Sequence, residues 1–192
     1  KAYIKMDIYR ATIFGIPHKL RSLKDGIHLP KIAVLGLQTY LYKDKRLPHP
    51  KTLKPFPIEA LSASKIPIHV DTIKVADSQL FYNENWREDY IPGRLSLTDI
   101  NVTITNVSST GPTKSGNWAK IKGNILLSNE LELAVDWRFD LRKKGKEFTL
   151  DLGIGSSPFV AMNSFTENTM GLHFKSGNLQ GGRLLVKANK TS

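Results

Sequence analysis

The segment "ELELAVDWRFDL", Glu130 to Leu141, places an apolar side chain at every second position for twelve residues. Successive side chains of a strand point to opposite faces. Leu131, Leu133, Val135, Trp137, Phe139 and Leu141 therefore fall on one face, and Glu130, Glu132, Ala134, Asp136, Arg138 and Asp140 on the other. A helix would scatter the same residues around its circumference. The segment reads as a strand about twice the common length of five or six residues, and such a strand needs long neighbours and a cover for its apolar face.

The same alternation continues on both sides. "KEFTLDLGI" (Lys146 to Ile154) sets Phe148, Leu150 and Leu152 beside the first row, with "RKKGK" as the intervening turn, and Trp118 to Ser128 precedes it as another strand. In "YIPGRLSLTDINVTITNVSS" (Tyr90 to Ser109), Leu95 and Leu97 run out of step with Ile100, Val102 and Ile104, which predicts a kink near Thr98–Asp99. Ile66, Ile68 and Val70 likewise lose phase with Ile73 and Val75, and the strand from His28 to Asp44 shifts phase near Gly36, as a bulge would make it do. Ile4, Met6 and Ile8 mark the first strand. Between Lys45 and Pro67 five prolines exclude a central strand and give an extended connector with one helical turn at Pro57 to Ala63.

One longer helix is expected from Ser157, as cap, and Pro158, as first helical residue, to a closing Gly171, with Phe159, Met162, Phe165 and Thr166 at helical spacing. That helix would cover part of the face of Leu131 to Leu141. Leu172 to Lys190 then reads as a hairpin turning at Gly181–Gly182. The expected fold is a single β-rich domain over residues 1–192, a long antiparallel curved meander (open trough or flattened barrel) with one or two short helices.

Composition narrows the partners. With 28 Lys+Arg against 17 Asp+Glu the formal net charge is +11, and the surface must attract anions. The basic residues are spread along the chain without the aromatic interleaving of an RNA-binding signature, so a nucleic-acid partner is not expected; a solvated basic surface, or one that meets an anionic membrane surface, is. There is no cysteine, which removes disulfides and thiolate chemistry. The opening "KAYIKMDIYR" has no signal-peptide pattern, so any leader or anchor is expected outside this sequence.

Motifs for catalysis are absent. The five histidines, His18, His28, His49, His69 and His173, show no i,i+4 helical pair, and a metal site is not expected. His69 falls opposite the apolar row of its strand. Capping accounts for Ser156 and Ser157 without a nucleophile, and Asp77 and Glu84 read as solvated carboxylates rather than an acid–base pair. Asn101, Asn106 and Asn189 begin glycosylation sequons that arise by chance in an Asn- and Thr-rich β protein. No enzyme and no cofactor are expected. In "NENWREDYIPG" (Asn83 to Gly93), Trp86, Arg87 and Tyr90 form a candidate interaction loop, with the alternative that Trp86 and Tyr90 fold back to plug an open end of the sheet.

From Gln38 to Lys190 the chain resembles the AsmA-like envelope proteins of Gram-negative bacteria, the family that includes TamB, and its Bacteroidetes-type members most closely. "GLQTYLYKDKRLPHP", "KIPIHVDTIKVADSQLFYNE", "PGRLSLTDINVTITNVS" and "LDLGIGSSPFVAMNSFTENTMGLHFKSGNLQGGRLLVKANK" carry the resemblance through their order and spacing, with Ser78 standing where Gly is commoner. The resemblance implies a trough of apolar interior repeated along a periplasmic protein, anchored in the inner membrane by a segment outside this sequence. It also implies lipid transport or outer-membrane biogenesis, with lipid or acyl chains and other envelope proteins as partners. The residues that would form the apolar groove are Leu131, Leu133, Val135, Trp137, Phe139, Leu141, Phe148, Leu150 and Leu152. A β-rich module that holds a protein or glycan without lipid is the alternative. On this reading Val135→Asp disrupts lipid retention or folding, whereas Asp136→Lys, on the opposite face, is tolerated.

Overall fold

The computed structural model describes residues 2–16, 26–47, 55–86 and 91–189. Seven strands follow one another across a single open sheet: β1 (Ala2–Phe14), β2 (Ile27–Asp44), β3 (Ile68–Asn85), β4 (Gly93–Ser108), β5 (Trp118–Leu127), β6 (Leu131–Asp140) and β7 (Glu147–Ile154). A two-residue pair, β8 (Ser157–Pro158) and β9 (Asn178–Leu179), lies apart from the sheet, and β10 (Gly182–Asn189) returns to form its last edge beside β7. Two short helices, α1 (Pro57–Leu61) and α2 (Asn163–Met170), complete the fold. The protein is thus mainly β, with one large sheet that does not close.

One seam departs from the meander. Neighbours in the sheet are antiparallel except β2 and β3, which run parallel with Ile27 opposite Ile68 and Asp44 opposite Asn85. Parallel strands need a crossover of a dozen or more residues. The proline-rich connector supplies it, because a chain leaving β2 at Asp44 must travel back along the sheet before β3 begins at Ile68. The expected helical turn forms there as α1, opened by Pro57, with the Glu59 carboxylate accepting the Phe56 backbone N–H at 3.1 Å.

The phase shifts predicted near Gly36 and Thr98–Asp99 lie on one line with a further bend at Asp77, whereas the shift predicted between Val70 and Ile73 sits elsewhere, where Asp71 drops out of both ladders of β3 and faces the left-handed Asn106, φ 57°. Gly36, Asp77 and Asp99 take left-handed backbone angles, with φ of 65°, 48° and 47°. The pairs Leu35–Ala76 and Gln38–Gln79 set Gly36 beside Asp77, and the Ser78–Ile100 pair sets Asp99 next in line. Register shifts flank Ser78 in the β3–β4 ladder and separate Thr98 from Asn101 in β4–β5. Three neighbouring strands therefore exchange faces along one line, which keeps the apolar residues on a single side past the bend. At Gly36 a side chain would be strained by the backbone angle and would meet Tyr9 Cβ at 2.9 Å.

The closed core sits at one end of the sheet. Ile58 of α1 joins Val70, Val107, Ala119, Phe139 and Leu141 there, and Phe56 packs edge-on against Phe148 with ring centroids 5.1 Å apart.

Two expectations fail at the C-terminal third. The helical stretch begins at Phe159 instead of Ser157, as a 3-10 turn over Phe159–Met162 that runs into α2 at Asn163, because Ser157 and Pro158 are held extended by pairing with Leu179 and Asn178. The same pairing removes the expected hairpin at Gly181–Gly182: β9 pairs with β8, and β10 pairs with β7. Gly171 does close the helix, in the left-handed conformation at φ 70°. Nor does α2 lie over Leu131 to Leu141. It flanks the start of β4, where the Ser164 hydroxyl donates to the Arg94 carbonyl at 3.1 Å and Phe165 approaches Tyr82.

Candidate functional site: an apolar face eight strands wide

Strand register turns the alternation of single segments into a surface. One continuous cross-strand row runs Ile13, Ile32, Ile73, Ile104, Ile121, Trp137, Leu150, Val186, from one edge of the sheet to the other. The adjacent row is Ala11, Val34, Val75, Val102, Gly123, Val135, Leu152, Leu184. Neither row contains a polar side chain. At about 4.8 Å per strand each spans about 34 Å. Gly123 is the one gap in them, and it is required: a Cβ there would lie 2.0 Å from the Asn101 carbonyl oxygen.

Position along the strands decides which of the predicted groove residues are free. Phe139 and Leu141 are fully buried under α1 and belong to the closed core, and Leu131 is buried at the opposite end of its strand. Burial takes these three out of the accessible groove. Leu133, Val135, Trp137, Phe148, Leu150 and Leu152 keep part of their surface exposed. The exposure rises at both edges, reaching 48% at Ile13 and 46% at Leu184. Among the described residues α1 covers the Phe139 end and α2 flanks the β4 start, and none covers the middle of the two rows.

The opposite face is more polar, with basic residues of which some are ion-paired. Phe14, Lys31, Thr72, Thr105, Lys120, Arg138, Thr149 and Lys187 form one row of it, polar except at the β1 edge. Asp136 receives Arg138 at 2.6 Å and Lys122 at 2.9 Å. The Arg138 hydrogen bonds, followed by those from Lys122, hold its carboxyl well below the usual aspartate range despite partial burial. Of two cavities of about 600 and 620 Å³, the first opens on this side around Asn101, Asn124 and Glu132, and the second lies between Tyr40, Phe81, Leu95 and Ser164 with a mainly aromatic and apolar lining. The apolar side is a broad surface and not a pocket.

The predicted interaction loop is only partly in view. Arg87 and Tyr90 lie outside the described residues. Trp86 is 46% exposed and turns back onto the end of β3, where its indole N–H donates to Glu84 and the Lys45 ammonium sits 4.3 Å from its ring centroid. Glu84, expected to be a solvated carboxylate, is instead buried, and it also accepts the Tyr82 hydroxyl and pairs with Lys45 at 3.3 Å. Burial alone would raise its pKa, but the hydrogen bonds from Tyr82, Trp86 and Lys45 outweigh it and lower the value. Tyr82, Glu84 and Trp86 share a face by simple alternation, which the sequence does show. The arrival of Lys45 depends on the parallel seam, which it does not. Asn106 is also buried, its amide donating to the carbonyls of Gly116 and Trp118, so that sequon carries a structural side chain.

Comparison of the chain with family models, with curated proteins and with solved structures finds no match.

Proposed function

We propose that this chain is a non-enzymatic cell-envelope module whose apolar sheet face carries lipid acyl chains, as part of an AsmA-like protein engaged in lipid transport or outer-membrane biogenesis. The observation that supports it is the pair of wholly apolar rows crossing all eight strands while remaining partly exposed at their centre. Apolar surface left in water costs about 25 cal/mol per Å², so a surface this wide favours an apolar companion. Extended acyl chains suit it, because they add about 0.8 kcal/mol per buried methylene and need no hydrogen-bonding partner. The basic reverse face fits an anionic membrane surface or lipid headgroup, and the periplasm is the proposed location.

Lipid extraction of the purified protein followed by mass spectrometry tests the proposal. Acyl lipid in stoichiometric amount from the wild type, and its loss from a folded variant carrying a charge on the apolar rows, is the expected result. Wild-type protein that neither retains acyl lipid nor takes it up from vesicles overturns it.

A second reading, a module that binds protein without lipid, draws on the edge strand β1. Ile4 and Met6 are 62% and 63% exposed on one of its faces, and Tyr3 and Tyr9 are 58% and 74% exposed on the other. Among the described residues the outer edge of β1 is unpaired, and such an edge with apolar side chains on both faces is a template for an added strand.

A further inference from the structure

The parallel seam that the sequence conceals also assembles a cluster of metal-ligand chemistry. Register places His28 of β2 directly opposite His69 of β3. Asp71, two residues beyond His69, projects from the same side of β3. The two imidazoles stack with centroids 4.7 Å apart and planes within 9°. His28 Nε2 is 3.0 Å from Asp71 Oδ2, His69 Nε2 is 3.3 Å from Asp71 Oδ1, and one ligand atom from each of the three residues lies within 4.8 Å of the others.

We infer that His28, His69 and Asp71 form a binding site for a divalent transition-metal ion of the zinc class. Four features carry this inference. The donor set of two imidazoles and one carboxylate matches the ligands zinc takes, and a three-residue set leaves a fourth position for water. The two imidazoles approach different oxygens of the Asp71 carboxylate, at 3.0 and 3.3 Å, and the three donor atoms lie within 4.8 Å of one another, so side-chain rotation suffices to bring them to the separation of about 3.3 Å that two ligands about 2.0–2.1 Å from one tetrahedral zinc have. His69 Nε2 is buried and makes no hydrogen bond, although Asp71 Oδ1 lies 3.3 Å from it. A buried imidazole nitrogen left without a partner is costly, and a metal ion would engage it. The site is open to solvent on the β2 side, where the His28 side chain is 57% exposed, so an ion can enter without unfolding the sheet.

The ligands span two strands that only the crossover brings together, so the ion would clamp the parallel seam. Zinc therefore raises thermal stability in proportion to the logarithm of its concentration above the dissociation constant. Copper and nickel bind the same donors, with copper tighter than zinc.

The test uses the untagged chain titrated with zinc chloride in a non-chelating buffer near neutral pH. Calorimetry is expected to give one site per chain, weakened about tenfold or more in each of His28→Ala, His69→Ala and Asp71→Asn, and unchanged in His173→Ala, whose imidazole pairs instead with Glu167. The imidazole resonances of His28 and His69 in the wild-type protein shift together at one equivalent of zinc, a readout that does not depend on the variants folding. Absence of saturable binding overturns the inference. So does binding that leaves those two resonances in place, or that survives intact in His28→Ala.

Discussion

The hydroxyl of Ser78 accepts the backbone N–H of Leu37 across the parallel seam at 3.1 Å, while donating to the Ala76 carbonyl at 2.8 Å. Ser78 is 1% exposed and follows the left-handed Asp77 at the bend of the sheet. Its oxygen thereby satisfies a backbone donor that the bulge leaves without a carbonyl. Ser78→Ala is expected to cost about 1–3 kcal/mol in chemical denaturation, the cost of a buried group left unpaired. A variant as stable as the wild type would show that the bend does not depend on this bond.

Gly123→Ala tests the close approach of β4 to β5. The new methyl group would collide with the Asn101 carbonyl, a backbone atom that cannot rotate away, so the strands must separate there. A loss of stability of about 2 kcal/mol or more is expected, and unchanged melting would mean that the two strands are spaced more widely.

Glu84→Gln addresses the buried cluster at the end of β3. Glu84 keeps a folded-state pKa below its ordinary value, so its contribution is present above the unfolded-state pKa of about 4.3 and is lost as pH falls through the lower folded value. The variant is expected to be about 2 kcal/mol less stable near neutral pH, and to lose less further stability than the wild type on acidification. Parallel pH profiles for the two proteins would show that Glu84 is not ionised in the fold.

The two faces of β6 answer differently to charge. Val135→Asp puts a carboxylate into the middle of an apolar row and is expected to abolish lipid retention, or folding itself at a cost of several kcal/mol. Asp136→Lys, which alternation alone marks as harmless, is not neutral in the structure: it removes the partner of Arg138 and Lys122 and sets a third cation beside them. The tolerant control is Glu132→Lys, at an exposed position with no ion-pair partner among the described residues. Equal tolerance of Val135→Asp and Glu132→Lys in thermal denaturation would show the faces to be misassigned.

Strand alternation made the sheet legible, and broken alternation made its bend legible, because Leu97 against Ile100 and Val34 against Leu37 can share a face only through a residue out of phase at Asp99 and Gly36. What sequence could not supply was pairing between distant segments. The parallel β2–β3 seam, the juxtaposition of His28 with His69 and the arrival of Lys45 at Glu84 all depend on where the connector returns, and alternation is silent on strand direction. The C-terminal third misled for a related reason. Ser157 and Pro158 carry helix-start chemistry, but a two-residue pairing with β9 overrides that local preference. The cover of Phe139 came from Ile58 and Phe56 in the connector, whose single helical turn offered too short a pattern to reveal which face it would bury.

The most direct test of the lipid-bearing face is photo-crosslinking with p-benzoylphenylalanine placed singly at Val135, Leu152, Glu132 and Arg138 in protein loaded with phospholipid vesicles. Acyl-chain adducts at positions 135 and 152, and none at 132 and 138, are the predicted result. Adducts that are absent from the first pair, or equally frequent on both faces, would contradict the account.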